Sequence, residues 1–262
     1  MAAGSTLGGF FQALVVQTRV IGALVLREMR VRYGRSQFGY IWAILEPMAY
    51  VAAMTAIFSY IDRPPPFGSS YILFFALGVI ALRFYVALAN QLTAAMQANE
   101  ALLTYPIVRE LDTVIARFIL EAITAIVVFV ICLYGISFVD DISFPAYPLR
   151  IAEGLGLIML FGFGTGLTNA CILRFFASWQ NIFRMITAPL FFISGVFYSM
   201  ASLPSEARAI IAWNPLIHGI EVIRDGWYAH YRTTDLNEGY LLAWGLFFTV
   251  LGLFMERFYR KR

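Results

Sequence analysis

Long apolar runs, separated by short clusters of charge, proline and glycine, dominate the pattern of this chain. Six of them, 38–61, 71–92, 118–139, 151–173, 184–201 and 239–256, are close to the length that a membrane-crossing helix requires and are predicted as spans. The breaks between them are stiff or strongly polar. Asp62-Arg63-Pro64-Pro65-Pro66-Phe67-Gly68 follows the first run, and Asp140-Asp141 opens the turn that reaches Pro148. Ahead of the spans, Phe11, Leu14, Val15, Thr18, Ile21, Gly22 and Val25 recur at helical spacing, while Arg19, Arg27, Arg30, Arg32 and Arg35 crowd the following turns. Arginines are costly in hydrocarbon, so residues 10–35 read as an amphipathic helix lying along the membrane surface. Two further stretches fit neither a span nor a plain turn. Residues 99–116 carry both signs of charge and are predicted to hold a helix of their own, from Ala101 to about Arg117. Residues 202–238 are moderately apolar but dotted with Trp213, Asn214-Pro215, His218, Glu221, Arg224, Asp225 and Trp227, and read as short re-entrant helices. The expected fold is an all-α integral membrane protein forming one domain over residues 1–262.

Composition supports that class. Hydrophobic residues make up 60% of the chain and charged residues 13%, with a mean hydropathy of +0.74. A soluble domain carries about 25% charged residues. The net charge of +3 comes almost wholly from arginine, with Lys261 the sole lysine. With the N-terminus inside, Arg19, Arg27, Arg30, Arg32, Arg35, Arg109, Arg117, Arg174, Arg184 and the basic tail face the cytoplasm, and Arg63, Arg150, Arg208, Arg224 and Arg232 face outward. This asymmetry, with an even number of spans, places both termini in the cytoplasm. The N-terminal residues lack a basic segment followed by a short apolar run and cleavage site, so no removable signal peptide is expected. Cys132 and Cys171 fall in apolar runs and read as small core residues.

The chemistry the chain lacks narrows its function. A phosphate-binding loop of the Walker type needs a lysine in a glycine-rich turn, and the only lysine sits in the C-terminal tail. Any ATP-driven work must therefore come from another subunit. His218 and Glu221 could share a helix face, but two ligands without a third partner make no metal site. No nucleophile elbow or zinc-protease helix is present, so a transport subunit is favoured over an enzyme.

Four charges lie in or near the spans. Glu46-Pro47 should kink the first span and leave a carboxylate at membrane depth. Arg83, beside Phe84 and Tyr85, suits contact with an acidic or phosphate-bearing substrate; equally, it suits an ion pair that fastens two helices. Glu121 and Glu153 are placed near span ends, where their carboxylates reach water. Trp42, Tyr50, Phe191, Phe192, Phe197 and Tyr198 are candidates to line a substrate path, or serve as packing and interfacial anchors. Arg27, Arg30, Arg32 and Arg35 could receive a substrate's phosphate at the cytoplasmic face, or hold the helix against anionic headgroups. Gly162, Gly164 and Gly166 permit close helix contact.

The stretch Asn99-Glu100-Ala101-Leu102-Leu103-Thr104-Tyr105-Pro106-Ile107-Val108-Arg109-Glu110-Leu111-Asp112 resembles the coupling-helix region of capsular polysaccharide export permeases. Leu26-Arg27-Glu28-Met29-Arg30-Val31-Arg32-Tyr33-Gly34-Arg35-Ser36, Gly39-Tyr40-Ile41-Trp42-Ala43-Ile44-Leu45-Glu46-Pro47 and Trp213-Asn214-Pro215-Leu216-Ile217-His218-Gly219-Ile220-Glu221 with Arg224-Asp225 are similar to the same family. The ordered set covers nearly the whole chain and resembles the KpsM-like branch of type-two ABC exporter permeases, related to O-antigen exporters. That resemblance implies a homodimer, two separate ATPase subunits that bind ATP and Mg, a lipid-linked acidic polysaccharide as cargo, and a periplasmic adaptor leading to the outer membrane. It further implies that Thr104, Tyr105, Pro106, Arg109, Glu110 and Asp112 meet the ATPase. An exporter of another glycan, lipid or drug, a secondary transporter, and an intramembrane transferase are the alternatives. No nucleic-acid partner is expected.

Overall fold

A computed structural model describes residues 3–33, 39–61, 64–140, 142, 144–231 and 235–259. Among them every regular element is helical: α1 (Ala3–Tyr33), α2 (Gly39–Tyr60), α3 (Tyr71–Thr93), α4 (Ala95–Ala98), α5 (Glu110–Ile136), α6 (Pro148–Leu173), α7 (Trp179–Thr187), α8 (Leu190–Ile193), α9 (Ser205–Ile211), α10 (Pro215–Trp227) and α11 (Glu238–Tyr259), with single 3₁₀ turns at Glu100–Leu102 and Met200–Ser202. Among the described residues five helices, within α2, α3, α5, α6 and α11, are long and apolar enough to cross a membrane.

α3 and α6 form the centre. Four-fifths of the apolar window of α3 is buried (78%), against 11% for α2, whose Ile41, Trp42, Leu45, Ile57 and Tyr60 stand exposed. The glycines of α6 work on two faces. A Cβ at Gly162 or Gly166 would fall 2.8 or 2.6 Å from the side chains of Leu88 and Leu92 on α3. At Gly164 it would fall 2.7 Å from the backbone nitrogen of Thr249 on α11. Backbone cannot yield as a side chain end can, so Gly164 sets how closely α6 and α11 approach. Thr168 Oγ1 then donates across that contact to the Phe248 carbonyl at 2.8 Å.

Several expected boundaries shift. α2 continues as helix through the buried Pro47, where the kink is expected. The helix predicted over 101–117 is not a separate element. Its second half is the start of α5, which begins at Glu110 rather than 118. The first half is the end of the 3₁₀ turn Glu100–Leu102 and an irregular turn. The fifth predicted run, 184–201, is not one helix. Pro189 lacks an amide hydrogen, and Gly195 takes a φ of +75°. The result is α7, α8 and a bend. Even so, the stretch between Arg174 and Glu238 joins opposite ends of α6. It leaves α6 beside Arg174, which pairs with Glu110, and α11 resumes at Glu238, which pairs with Arg150 in the first turn of α6 at 2.6 Å. α6 thus ends at one face and α11 begins at the other.

The 202–238 segment holds α9 and α10. Asn214 caps α10 by accepting the Leu216 amide hydrogen at 3.1 Å, and Pro215 occupies the first turn, where its missing donor costs nothing. α10 packs against α3, α6 and α11 and is buried along most of its length.

Candidate functional site: a basic junction and an arginine between two cavities

Where α1 meets the start of α5, the chain builds a buried polar junction. Arg117 donates through Nε at 3.2 Å and Nη2 at 2.8 Å to the same carboxylate oxygen of Glu28. Asn99 Nδ2 donates to the other Glu28 oxygen at 2.7 Å and to the Ala95 carbonyl at 2.9 Å. Arg27 donates to Asn99 Oδ1, and Arg117 Nη1 reaches the Gln91 carbonyl at 3.1 Å. Glu28, Asn99 and Arg117 are all buried. Their groups satisfy one another, as a buried charge requires. Three elements meet here: α1, the end of the α3–α4 run, and α5. A second tie lies alongside. Asp112 accepts the Arg109 amide hydrogen at 2.9 Å, capping α5, and also accepts from Gln17 on α1.

This junction holds out the connector between α4 and α5. Thr104, Tyr105, Pro106, Ile107 and Arg109 are exposed, and Thr104 Oγ1 is bonded locally to the Ala101 carbonyl at 2.9 Å. Successive turn bonds, Leu102 to Asn99 at 2.8 Å, Tyr105 to Leu102 at 3.1 Å and Val108 to Tyr105 at 3.0 Å, give it a defined shape. Of the six residues expected to meet a partner, four are on this surface. Glu110 is half-buried and paired with Arg174. Asp112 is buried and its carboxylate is used inside the protein, so the surface role expected of it does not fit its placement. Glu28, Asn99 and Arg117 were not singled out as a unit. The one available signal is Glu28 itself, an acid inside an otherwise arginine-rich stretch.

Of the arginine cluster, Arg30 is exposed and Arg27 is turned towards Asn99. Arg35 and the side chain of Arg32 lie outside the described residues.

Arg83, on α3, sits between two cavities. Its Nη2 lies 2.8 Å from Glu46 Oε1 on α2, and its guanidinium carbon lies 4.1 Å from the centre of the Tyr50 ring. The fastening pair is therefore real, yet both partners keep part of their surface, 30% for Arg83 and 46% for Glu46. A cavity of about 450 Å³ is lined by Tyr50, Arg83, Arg184, Phe191 and Phe192 among others. A second, of about 250 Å³, is lined by Glu46, Arg83, Phe84, Asn90 and Glu121 among others. Glu121 is buried and lies eleven residues into α5. The expected reach of Glu121 to water fails because α5 starts earlier than the hydropathy suggests. Glu153, by contrast, is near the start of α6 and pairs with Arg150 at 2.9 Å.

The aromatic candidates divide. Phe191 and Phe197 pack at 5.0 Å, Tyr50 lies 5.8 Å from Phe191, and the Tyr198 hydroxyl donates to the Phe192 carbonyl at 3.1 Å. Phe58 and Phe75 join this group through Phe197. Tyr85 turns the other way and stacks on Phe161 in the core at 5.0 Å, so it does not line the path expected of it. Trp42 is exposed on α2, apart from both cavities.

At the opposite end of the bundle, His218 and Glu221 do not converge. Asn237 donates its amide hydrogen to His218 Nδ1 at 3.3 Å, so Nε2 carries the proton that reaches the Ala212 carbonyl at 2.9 Å. Burial lowers the His218 pKa, and the Ala212 bond opposes it. Glu221 accepts from the Tyr231 hydroxyl at 2.9 Å. Burial pushes its carboxyl up, while Arg224 pulls it back.

Residues 19–228 match the ABC-2 type transporter family. The chain is 30% identical over 242 residues to the polysialic acid transport protein KpsM of Escherichia coli, covering 92% of this chain and 94% of that one. It is 30% identical over 252 residues to the capsule polysaccharide export inner-membrane protein BexB of Haemophilus influenzae, covering 96% and 95%. To the capsule polysaccharide export inner-membrane protein CtrC of Neisseria meningitidis it is 28% identical over 244 residues, covering 93% and 92%.

Proposed function

Because the chain belongs to the ABC-2 type transporter family, we propose that it is the membrane-spanning subunit of an exporter that moves lipid-linked acidic capsular polysaccharide across the bacterial inner membrane. The observation that carries this reading is similarity along more than nine-tenths of both chains to capsule polysaccharide export inner-membrane proteins. It makes no bonds itself. A separate ATPase, binding ATP and Mg, supplies the work, and the exposed turn Thr104–Ile107 is the surface that receives it. Rigid-body motion delivered there would pass through the Glu28–Asn99–Arg117 junction into α1, α3 and α5 together, because those three elements are tied at that point.

In this reading the basic junction faces the cytoplasm, as the excess of arginine at that end supports. Six crossings result when the broken α7–α8 segment is counted as one. The exposed flank of α2 and the cavity with Tyr50, Phe191 and Arg83 face a second copy of the chain, and the glycan passes between the two. α9 and α10 lie at the outer side, where a periplasmic adaptor would be met. Co-expression with the ATPase tests the central step. The two should copurify and hydrolyse ATP, and replacing Tyr105 and Ile107 with serine should abolish export while leaving this chain folded in the membrane. Full export by that variant would remove the connector from the mechanism.

A further inference from the structure

The two cavities that meet at Arg83 have opposite charge. The larger is lined by Arg83 and Arg184 with the rings of Tyr50, Phe191 and Phe192, and no carboxylate lines it. The smaller, behind it, is lined by Glu46 and Glu121 beside Arg83. Arg83 belongs to both, and it is held by Glu46 from the rear at 2.8 Å. Arg184 has no carboxylate within ion-pair distance among the described residues and is exposed. We propose that Glu46 is a resident counter-ion that keeps Arg83 occupied until an acidic glycan bridges Arg83 and Arg184, so that the larger cavity selects multiply charged chains over single anions.

The physical argument has two parts, and it rests on the export reading above. A cation at bilayer depth needs a counter-charge, and Glu46 supplies it when no cargo is present. A single small anion must compete with a carboxylate already tethered beside the guanidinium, and it gains one contact for the one it replaces. A glycan with charge on successive sugars gains two. Once one carboxylate reaches Arg184, the next is presented to Arg83 at high local concentration. The partial exposure of the Arg83–Glu46 pair keeps it weak enough to exchange. The Tyr50 ring at 4.1 Å holds the guanidinium in place whichever anion it faces.

The test uses the complex with its ATPase in nanodiscs and compares binding of an oligogalacturonate octamer with that of monomeric galacturonate. Wild type should bind the octamer much more tightly. Glu46→Gln should strengthen monomer binding about tenfold and narrow the ratio, since the tethered competitor is gone. Arg184→Gln, on an exposed side chain, removes one end of the bridge and should weaken the octamer about tenfold. Glu46→Asp keeps the carboxylate and should keep the ratio. An octamer-to-monomer ratio unchanged in Glu46→Gln overturns the counter-ion role, as does a ratio lost in Glu46→Asp, which would assign Glu46 to helix packing. Failure of wild type to bind the octamer would instead overturn the acidic-cargo reading on which the proposal stands.

Discussion

Arg224 and Arg83 are both arginines deep in the bundle, and their surroundings could hardly differ more. Arg224 has no exposed surface. It donates to the carbonyls of Gly195 at 2.6 Å, Val196 and Tyr198 at 3.1 Å and Phe74 at 3.3 Å, reaches Glu221 at 3.5 Å, and lies 3.7 Å from the Phe74 ring. Most of those partners are backbone, which cannot leave. It ties α3, α10 and the bend after α8 into one unit. Arg83 has one carboxylate, one ring and open space on both sides. Sequence alone made Arg83 the more interesting of the two and left Arg224 in a re-entrant segment. The difference shows how to separate an arginine that builds from one that binds: count the partners that can be exchanged.

Substitutions can break or sharpen that contrast. The largest effect is expected at Arg224→Gln, which strands Glu221 and four carbonyls. A loss of about 3–5 kcal/mol follows for a broken buried pair, read as failure to accumulate or a strongly lowered melting temperature in detergent. A Tm within a few degrees of wild type would make Arg224 dispensable. Next comes Glu28→Arg, which sets like charges together in the basic junction and should cost about 3 kcal/mol while abolishing export. Adding Arg117→Glu should restore much of both, and absence of rescue in that double variant would show that the two do not act as a pair. Arg83→Gln should change stability by only about 1 kcal/mol or less, because its pair is partly exposed, yet reduce export more than tenfold. Equal losses of stability at Arg83 and Arg224 would erase the distinction. The smallest effect concerns pH. Since burial lowers the His218 pKa below its ordinary 6.5, the unfolded chain binds a proton more readily than the folded one. The contribution of His218 is present above pH 6.5 and lost as pH falls below it. Melting temperatures between pH 7.5 and pH 5.5 should fall less in His218→Gln than in wild type, and parallel curves would contradict the assignment.

Periodicity located most of the helices because hydrocarbon demands long apolar helices and little else. It failed where polar residues are absorbed by tertiary contact. Asp112 and Arg117 look like the boundary of a span, but α1 supplies their partners, so α5 extends back to Glu110. That extension is also why Glu121 lies well inside a helix. In the fifth run Arg184 is the one charge, and Pro189 and Gly195 mark the breaks. Gly195 is fixed there by more than its φ of +75°, since a Cβ would meet Ile217 at 2.9 Å. Among the candidate site residues, Arg83, Tyr50 and Phe191 line one cavity. Tyr85 does not, because residues two apart in a helix point about 200° apart, and the turn that aims Arg83 at the cavity aims Tyr85 at Phe161.

A cysteine placed at Thr104 gives the most direct test of the claim that the α4–α5 connector is where an ATPase drives this protein. The native thiols, Cys132 and Cys171, are buried and leave that position as the reactive one. A membrane-impermeant maleimide should label it in inverted vesicles only, and bound ATPase should protect it. Labelling in right-side-out vesicles, or no protection by an ATPase that copurifies, would contradict the account.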